Sequence, residues 1–222
     1  MNDGFFQHVV WSDIGQATLD TLTMLAGSLA LTIGLGIPLG VLLFVTSDGQ
    51  IDQSRPVNRV LGIVVNVLRS IPFVILLIVM IPLTLAMVGT SLGVAGAIPP
   101  LVGGAAPFYA RLVEAALRDV PRATIEAAQA MGATRLQIIG KVLLPEALPG
   151  LTAGATVTAI TLVSFTAMAG VVGAGGLGDL AIRYGYQRFQ ADVMLVTVVL
   201  LVVLVQFIQW AGDRLTRLVD HR

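Results

Sequence analysis

The sequence predicts an all-α integral membrane protein with five transmembrane helices, and three observations support this. Of 222 residues, 56% are hydrophobic and only 12% are charged, whereas soluble domains carry about 25% charged residues. The mean hydropathy is +0.89. Five apolar stretches, approximately Leu19–Val45, Leu61–Val88, Leu92–Ala116, Leu148–Val172 and Val193–Ala211, each supply the roughly 20 residues a helix needs to cross a bilayer core. The runs are continuous and too long for barrel strands, so lipid-exposed backbone must close its hydrogen bonds within helices.

The composition also excludes several classes of function. Lysine plus arginine and aspartate plus glutamate number 13 each, so no basic surface points to nucleic acid. Without cysteine there is neither a disulfide nor thiol chemistry. His8 and His221 lie at opposite ends of the chain, so no metal or proton-relay site is expected. Met1 to Thr18 contains no Lys or Arg. It lacks the basic start of a cleaved signal peptide and reads as part of the mature protein. The expected plan is an outer N-terminal segment at 1–17, a membrane domain at 18–211 and a tail at 212–222.

Orientation follows from the basic residues. One set of loops holds Arg55, Arg59, Arg111, Arg118, Arg122, Arg135, Lys141, Arg214, Arg217 and Arg222, which is 10 of 13. The other set holds Arg183 and Arg188, and Arg69 falls inside the second stretch. This bias places the N-terminus outside and the C-terminus in the cytoplasm. Trp11, Tyr184, Tyr186 and Phe189 mark the outer interface, and Trp210 the inner one.

In the first stretch, Gly36 and Gly40 have the spacing that lets helix backbones approach closely, as do Gly150 and Gly154 in the fourth. Gly34, Pro38, Pro99, Pro100 and Pro107 add sites where helices kink or pack. Arg69-Ser70-Ile71-Pro72-Phe73 interrupts the second stretch. A charge at the bilayer centre costs about 2.5–3.5 kcal/mol on insertion scales. Arg69 therefore either snorkels to the interface or faces the bundle. Thr158, Thr161 and Ser164, spaced three apart, lie broadly on one face of the fourth stretch, with Met168 one turn beyond Ser164. Such hydroxyls either join helices or line a pathway, and the thioether of Met168 suits a gate that closes a constriction. Gly173, Gly175, Gly176 and Gly178 match G-x-G-x-x-G. A dinucleotide site would need a preceding strand. After a membrane span the glycines predict irregular backbone at its outer mouth.

Between the third and fourth stretches, at about 118–147, lies a charged helical hairpin. Pro121 suits a helix start, Gly132 a left-handed C-terminal position, and Thr134 with Gln137 a capping box for a second helix. Leu136, Ile139 and Leu143 are expected to line one face of that helix, and Pro145 to stop it. The spacing of Glu126-Ala127-Ala128, Gly132 and Val142-x-Leu144-Pro145 resembles the EAA loop of permease subunits in ATP-binding cassette importers, with Val142 where that pattern has Ile. The resemblance implies a type I importer fold and a coupling helix that docks into a cytoplasmic ATPase subunit. In it Glu126 is a polar contact, Ala127, Ala128 and Gly132 are the close-fitting surface, and Leu144 and Pro145 complete the motif.

The chain has a single lysine, and Gly140-Lys141-Val142 lacks the Ser or Thr that ends a P-loop. ATP and Mg are expected on a partner, with no cofactor and no catalytic residue in this chain. Asn66 to Leu77 (NVLRSIPFVILL) and Ser164 to Phe189 extend the resemblance to the permeases of methionine importers. That family implies a homodimer embedded in lipid, two ABC ATPase subunits and an extracytoplasmic methionine-binding protein. Another amino acid, or a quaternary amine such as betaine, is the alternative cargo. An ion-coupled secondary transporter is less consistent with the sequence. Such proteins use intramembrane acids, and Asp20 reads as the only acid near a span interior.

Overall fold

The computed structural model describes residues 7–220; His221 and Arg222 lie outside them. Every regular element among the described residues is helical. Helix α1 spans Trp11–Val45, α2 Arg55–Ser70, α3 Phe73–Val79, α4 Ile81–Val88 and α5 Gly93–Arg118. Then come α6 (Arg122–Ala130), α7 (Arg135–Ile138), a π-helical turn at Ile139–Leu143 and the short α8 (Leu144–Glu146). Helix α9 is Leu148–Ala169, α10 Gly176–Leu180 and α11 Ala191–Val219.

Three helices are long and apolar enough to cross a membrane: α1, α9 with its 3-10 extension to Val172, and α11. The expected second span is not one helix. It divides into α2, α3 and α4, and α2 with α3 forms a bent pair that supplies a fourth crossing if counted as one. The break has a local cause. Pro72 has no N–H to close a bond to the Leu68 carbonyl, and it biases Ile71 away from helical geometry. The third stretch does form the 26-residue α5. Seven glycines and prolines between Gly93 and Pro107 dilute its apolarity, and it is not among the helices that qualify as crossings.

The chain forms two compact units, one from Met1–Ala30, Ile71–Gly104 and Ala159–Gln209, the other from Leu31–Ser70, Ala105–Thr158 and Trp210–Arg222. In the first unit, Phe73 and Phe165 stack with ring centroids 4.2 Å apart. Buried Asp192 accepts hydrogen bonds from the backbone N–H groups of His8 (2.9 Å) and Val193 (3.0 Å). The second unit has a core of Phe44, Val45, Tyr109, Val113, Leu117, Ile125, Ala128, Ile138, Leu143 and Leu151, and the Tyr109 hydroxyl donates to the Leu151 carbonyl. In the loop after α1, the Arg55 guanidinium beside Asp48 holds that carboxyl below its ordinary range.

The expected glycine contacts are present. A Cβ on Gly40 would lie 2.5 Å from Val113 Cβ and 2.6 Å from the Ala110 carbonyl oxygen, and one on Gly150 would lie 2.7 Å from Ala116 Cβ. Close backbone approach of this kind drives helix association where lipid is as apolar as the side chains. Gly40→Val is expected to destabilise the protein by about 1–3 kcal/mol through overpacking. Gly34→Val, where nothing lies within 4 Å, should leave the thermal unfolding midpoint in detergent close to that of the unchanged chain.

Candidate functional site

The hairpin follows its sequence signals closely. Pro121 precedes α6, and Gly132 takes φ +79. The Ala133 N–H reaches the Ala128 carbonyl at 3.1 Å, which closes the helix end. A Cβ on Gly132 would meet nothing within 4 Å, so the glycine serves backbone conformation rather than close approach. Thr134 and Gln137 form the reciprocal capping box.

Three expectations about the hairpin need correction. Ala128 is only 3% exposed and sits in the hairpin's own core with Ile125, Ile138 and Leu143. It lets α6 approach the following helix and presents no outer surface. Leu136 does not line the buried face, which Ile138 and Leu143 form. It is 81% exposed, as is Met131, so two large apolar side chains flank the turn at Gly132. Pro145 does not stop the helix. It lies in the first turn of α8, where a missing N–H is tolerated. The π-helical turn before it widens the backbone and carries the path toward α9. Glu126 and Ala127 are exposed, and Glu126 pairs with Arg122 at 3.1 Å. Leu144 is partly buried against the core and Pro145 is exposed.

On α9, Thr158 is fully buried and donates to the Gly154 carbonyl. It does not share a face with Ser164, because six residues advance a helix by about 600°, leaving them 120° apart. The more open face carries Thr161, Ser164, Met168 (44% exposed) and Val171 (59%). Ser164 lines a cavity of about 280 Å³ with Val163, Ala167, Leu201, Val205 and Gln206.

The glycine segment after α9 forms the expected irregular backbone. Gly173, Gly175 and Gly176 all have positive φ. The Gly93 N–H donates to the Gly173 carbonyl, and the Leu177 N–H to Thr21 Oγ1 at 2.9 Å. A Cβ on Gly178 would lie 2.3 Å from Ala167 Cα, so α10 folds back tightly on the end of α9. Among the described residues, no strand precedes the motif.

Arg69 lies in the last turn of α2, not within an unbroken span. There the negative end of the helix dipole favours a cation. It is exposed, and its guanidinium carbon stands 5.9 Å from the Phe108 ring centroid. The sequence reading missed Glu114. It lies within the third apolar stretch, is 6% exposed, and receives Arg111 and Arg118 at 2.6 Å each. Asp20 is therefore not the only acid near a span interior. Arg111 also donates to the Gly62 carbonyl (3.3 Å) and to Asn66 Oδ1 (3.0 Å). The signal available in the sequence was the 3- and 4-residue spacing of Arg111, Glu114 and Arg118.

Long apolar helices and an amphipathic hairpin define a multi-pass membrane protein, and the comparisons identify its class as a transport permease. The chain belongs to the family of binding-protein-dependent transport system inner membrane components, which matches residues 36–222. It is 56% identical over 206 residues to a Vibrio cholerae protein named a probable D-methionine transport system permease protein, MetI, covering 93% of this chain and 92% of that one. It is 49% identical over 222 residues to the Bacillus subtilis methionine import system permease protein MetP, covering 100% of both. A chain solved in inward-facing conformations of the MetNI methionine ABC transporter superposes with TM-score 0.94 at 52% identity, over 95% of this chain and 98% of that one.

Glu114→Ala should destabilise the protein by about 1.5–3 kcal/mol, because Arg111 and the half-exposed Arg118 both lose a charge-assisted bond to a buried carboxylate. Glu126→Ala should cost no more than about 1 kcal/mol, since its ion pair is exposed. Denaturant unfolding in detergent compares the two.

Proposed function

We propose that this chain is the permease subunit of an ATP-driven methionine importer. It works as a homodimer in the inner membrane, with its N-terminus outside and its C-terminus in the cytoplasm. Two cytoplasmic ATPase subunits bind ATP and Mg, and an extracytoplasmic methionine-binding protein delivers cargo. The membrane domain is 18–211, with α5 as the fifth crossing. The full-length likeness to a methionine import permease supports the cargo. One structural observation carries the coupling mechanism: a rigid hairpin whose tip exposes Met131 and Leu136 beside Glu126, Ala127 and Gly132.

The likeness to ATP-driven importers and the packing of the hairpin support the following mechanism. Nucleotide binding closes the ATPase pair and moves the docked hairpins. Because Ile125, Ala128, Ile138 and Leu143 are packed in the same core as Tyr109 and Leu151, a push on the hairpin displaces α5 and α9 with it. The pathway runs along the α9 face that carries Thr161, Ser164 and Met168, with Met168 at the gate. Gly173, Gly175, Gly176 and Gly178 form its outer mouth.

In proteoliposomes containing the permease, ATPase and binding protein, radiolabelled methionine uptake is expected to require ATP and to resist competition by betaine. Uptake of betaine without methionine would overturn the cargo assignment. Docking has a separate test. Met131→Ser with Leu136→Ser should leave the fold intact, because both side chains are exposed. It should cut co-purification of the ATPase by about tenfold or more, as expected when interface anchors are removed. Full recovery of the ATPase would count against the hairpin as its dock.

A further inference from the structure

The break after α2 leaves a polar surface that the coupling mechanism does not use. Among the described residues, Arg55, Arg111, Arg118, Arg122, Arg135 and Arg183 each pair with a carboxylate. Arg69 forms no ion pair among them and stands only over the Phe108 ring. It is 14 residues beyond Arg55, about 21 Å along a helix, and so far from the polar start of α2.

Asn66 lies three residues before Arg69 and shares its exposed face. Its orientation is fixed by chemistry. Arg111 only donates, so the Asn66 oxygen must face it at 3.0 Å. The Asn66 amide donors are thereby turned away from Arg111. One turn on, Ser70 donates its hydroxyl to the Asn66 carbonyl at 2.8 Å, which leaves the Ser70 lone pairs as acceptors. Pro72 withholds the donor that would close the Leu68 carbonyl. The α2 terminus thus offers a guanidinium and an amide as donors, next to a hydroxyl and a carbonyl that Pro72 cannot pair, at the negative end of a helix dipole.

We propose that this surface holds the zwitterionic head of the transported amino acid during passage. The Arg69 guanidinium and Asn66 amide take the α-carboxylate, and Ser70 Oγ and the Leu68 carbonyl take the α-ammonium. Arg111 is a positioning residue that aims Asn66. The inference rests on the importer reading and adds a cargo-contact site within this chain.

The test uses the complete transporter in proteoliposomes with saturating methionine-loaded binding protein, and counts methionine imported per ATP hydrolysed. Arg69→Gln should lower that ratio by about tenfold or more, as expected for loss of a charge-assisted contact. Arg69→Lys, which keeps the charge, should recover most of it. Arg59→Gln, on the same helix, should match the unchanged protein. An unaltered ratio in Arg69→Gln overturns the proposal. So does a parallel fall in uptake and hydrolysis, which marks a structural role. Absence of ATP-driven methionine uptake by the unchanged protein would overturn the importer reading itself, and this site with it.

Discussion

Hydrocarbon supplies no hydrogen-bond partners, so each backbone N–H and C=O within a membrane must be satisfied by the protein itself. Helices meet that requirement along most of the chain. Several hydroxyls inside them do the same by turning back on their own backbone: Thr21 to Ala17, Ser28 to Met24, Thr158 to Gly154 and Thr197 to Val193, whereas those of Thr32 and Thr84 are buried without a partner. The interruptions differ in how they meet it. After α9, the glycine turn is closed by the Gly93 N–H, the Ala174 N–H and the hydroxyl of Thr21. After α2, Pro72 removes the donor that would have closed the Leu68 carbonyl. A break that is fully closed is a structural joint. A break left open to polar partners has capacity to bind.

Charge obeys the same rule. Glu114 is tolerated because two guanidinium groups pair with it. A cluster with one acid and two bases is not neutral, and Arg111 also donates from one terminal nitrogen to the Gly62 carbonyl and to Asn66, while its Nε is buried without a partner. The pairing therefore ties α5 to α2 and fixes the amide of Asn66. Such a cluster contributes little net stability compared with apolar residues of the same shape, yet breaking it is costly. Its value lies in specifying one arrangement of the two helices.

Much of this was legible in the sequence where the code is local. Gly132, Thr134 and Gln137 encode turn and cap within a few residues, and the structure reproduces them. The glycine pairs of α1 and α9 also behave as their spacing implies. Readings failed where tertiary packing decides. Leu136 and Ile138 are both apolar and two residues apart, and only the position of the core selects Ile138. Ala128 looks like a docking surface by size alone until α7 covers it. The second apolar stretch reads as one span because hydropathy averages over Pro72, whereas a single missing donor ends the helix. Glu114 was hidden by the same averaging, one acid among apolar neighbours.

The hairpin's packing bears directly on how force could pass through this chain. A loop tethered by flexible ends would absorb displacement at its hinges. Here the path out of α5 runs through Pro121, which fixes one backbone angle. The return runs through a π-helical turn and α8 with a single non-helical residue, Ala147, before α9. Between those stems, Ile125 and Ile138 lie in one core with Phe44 of α1, Val113 of α5 and Leu151 of α9. Interiors of this density have low compressibility and transmit strain. Displacement of the tip must therefore move the hairpin-proximal parts of three long helices as a body, and the local cost of bending the hairpin instead is the cost of opening that core.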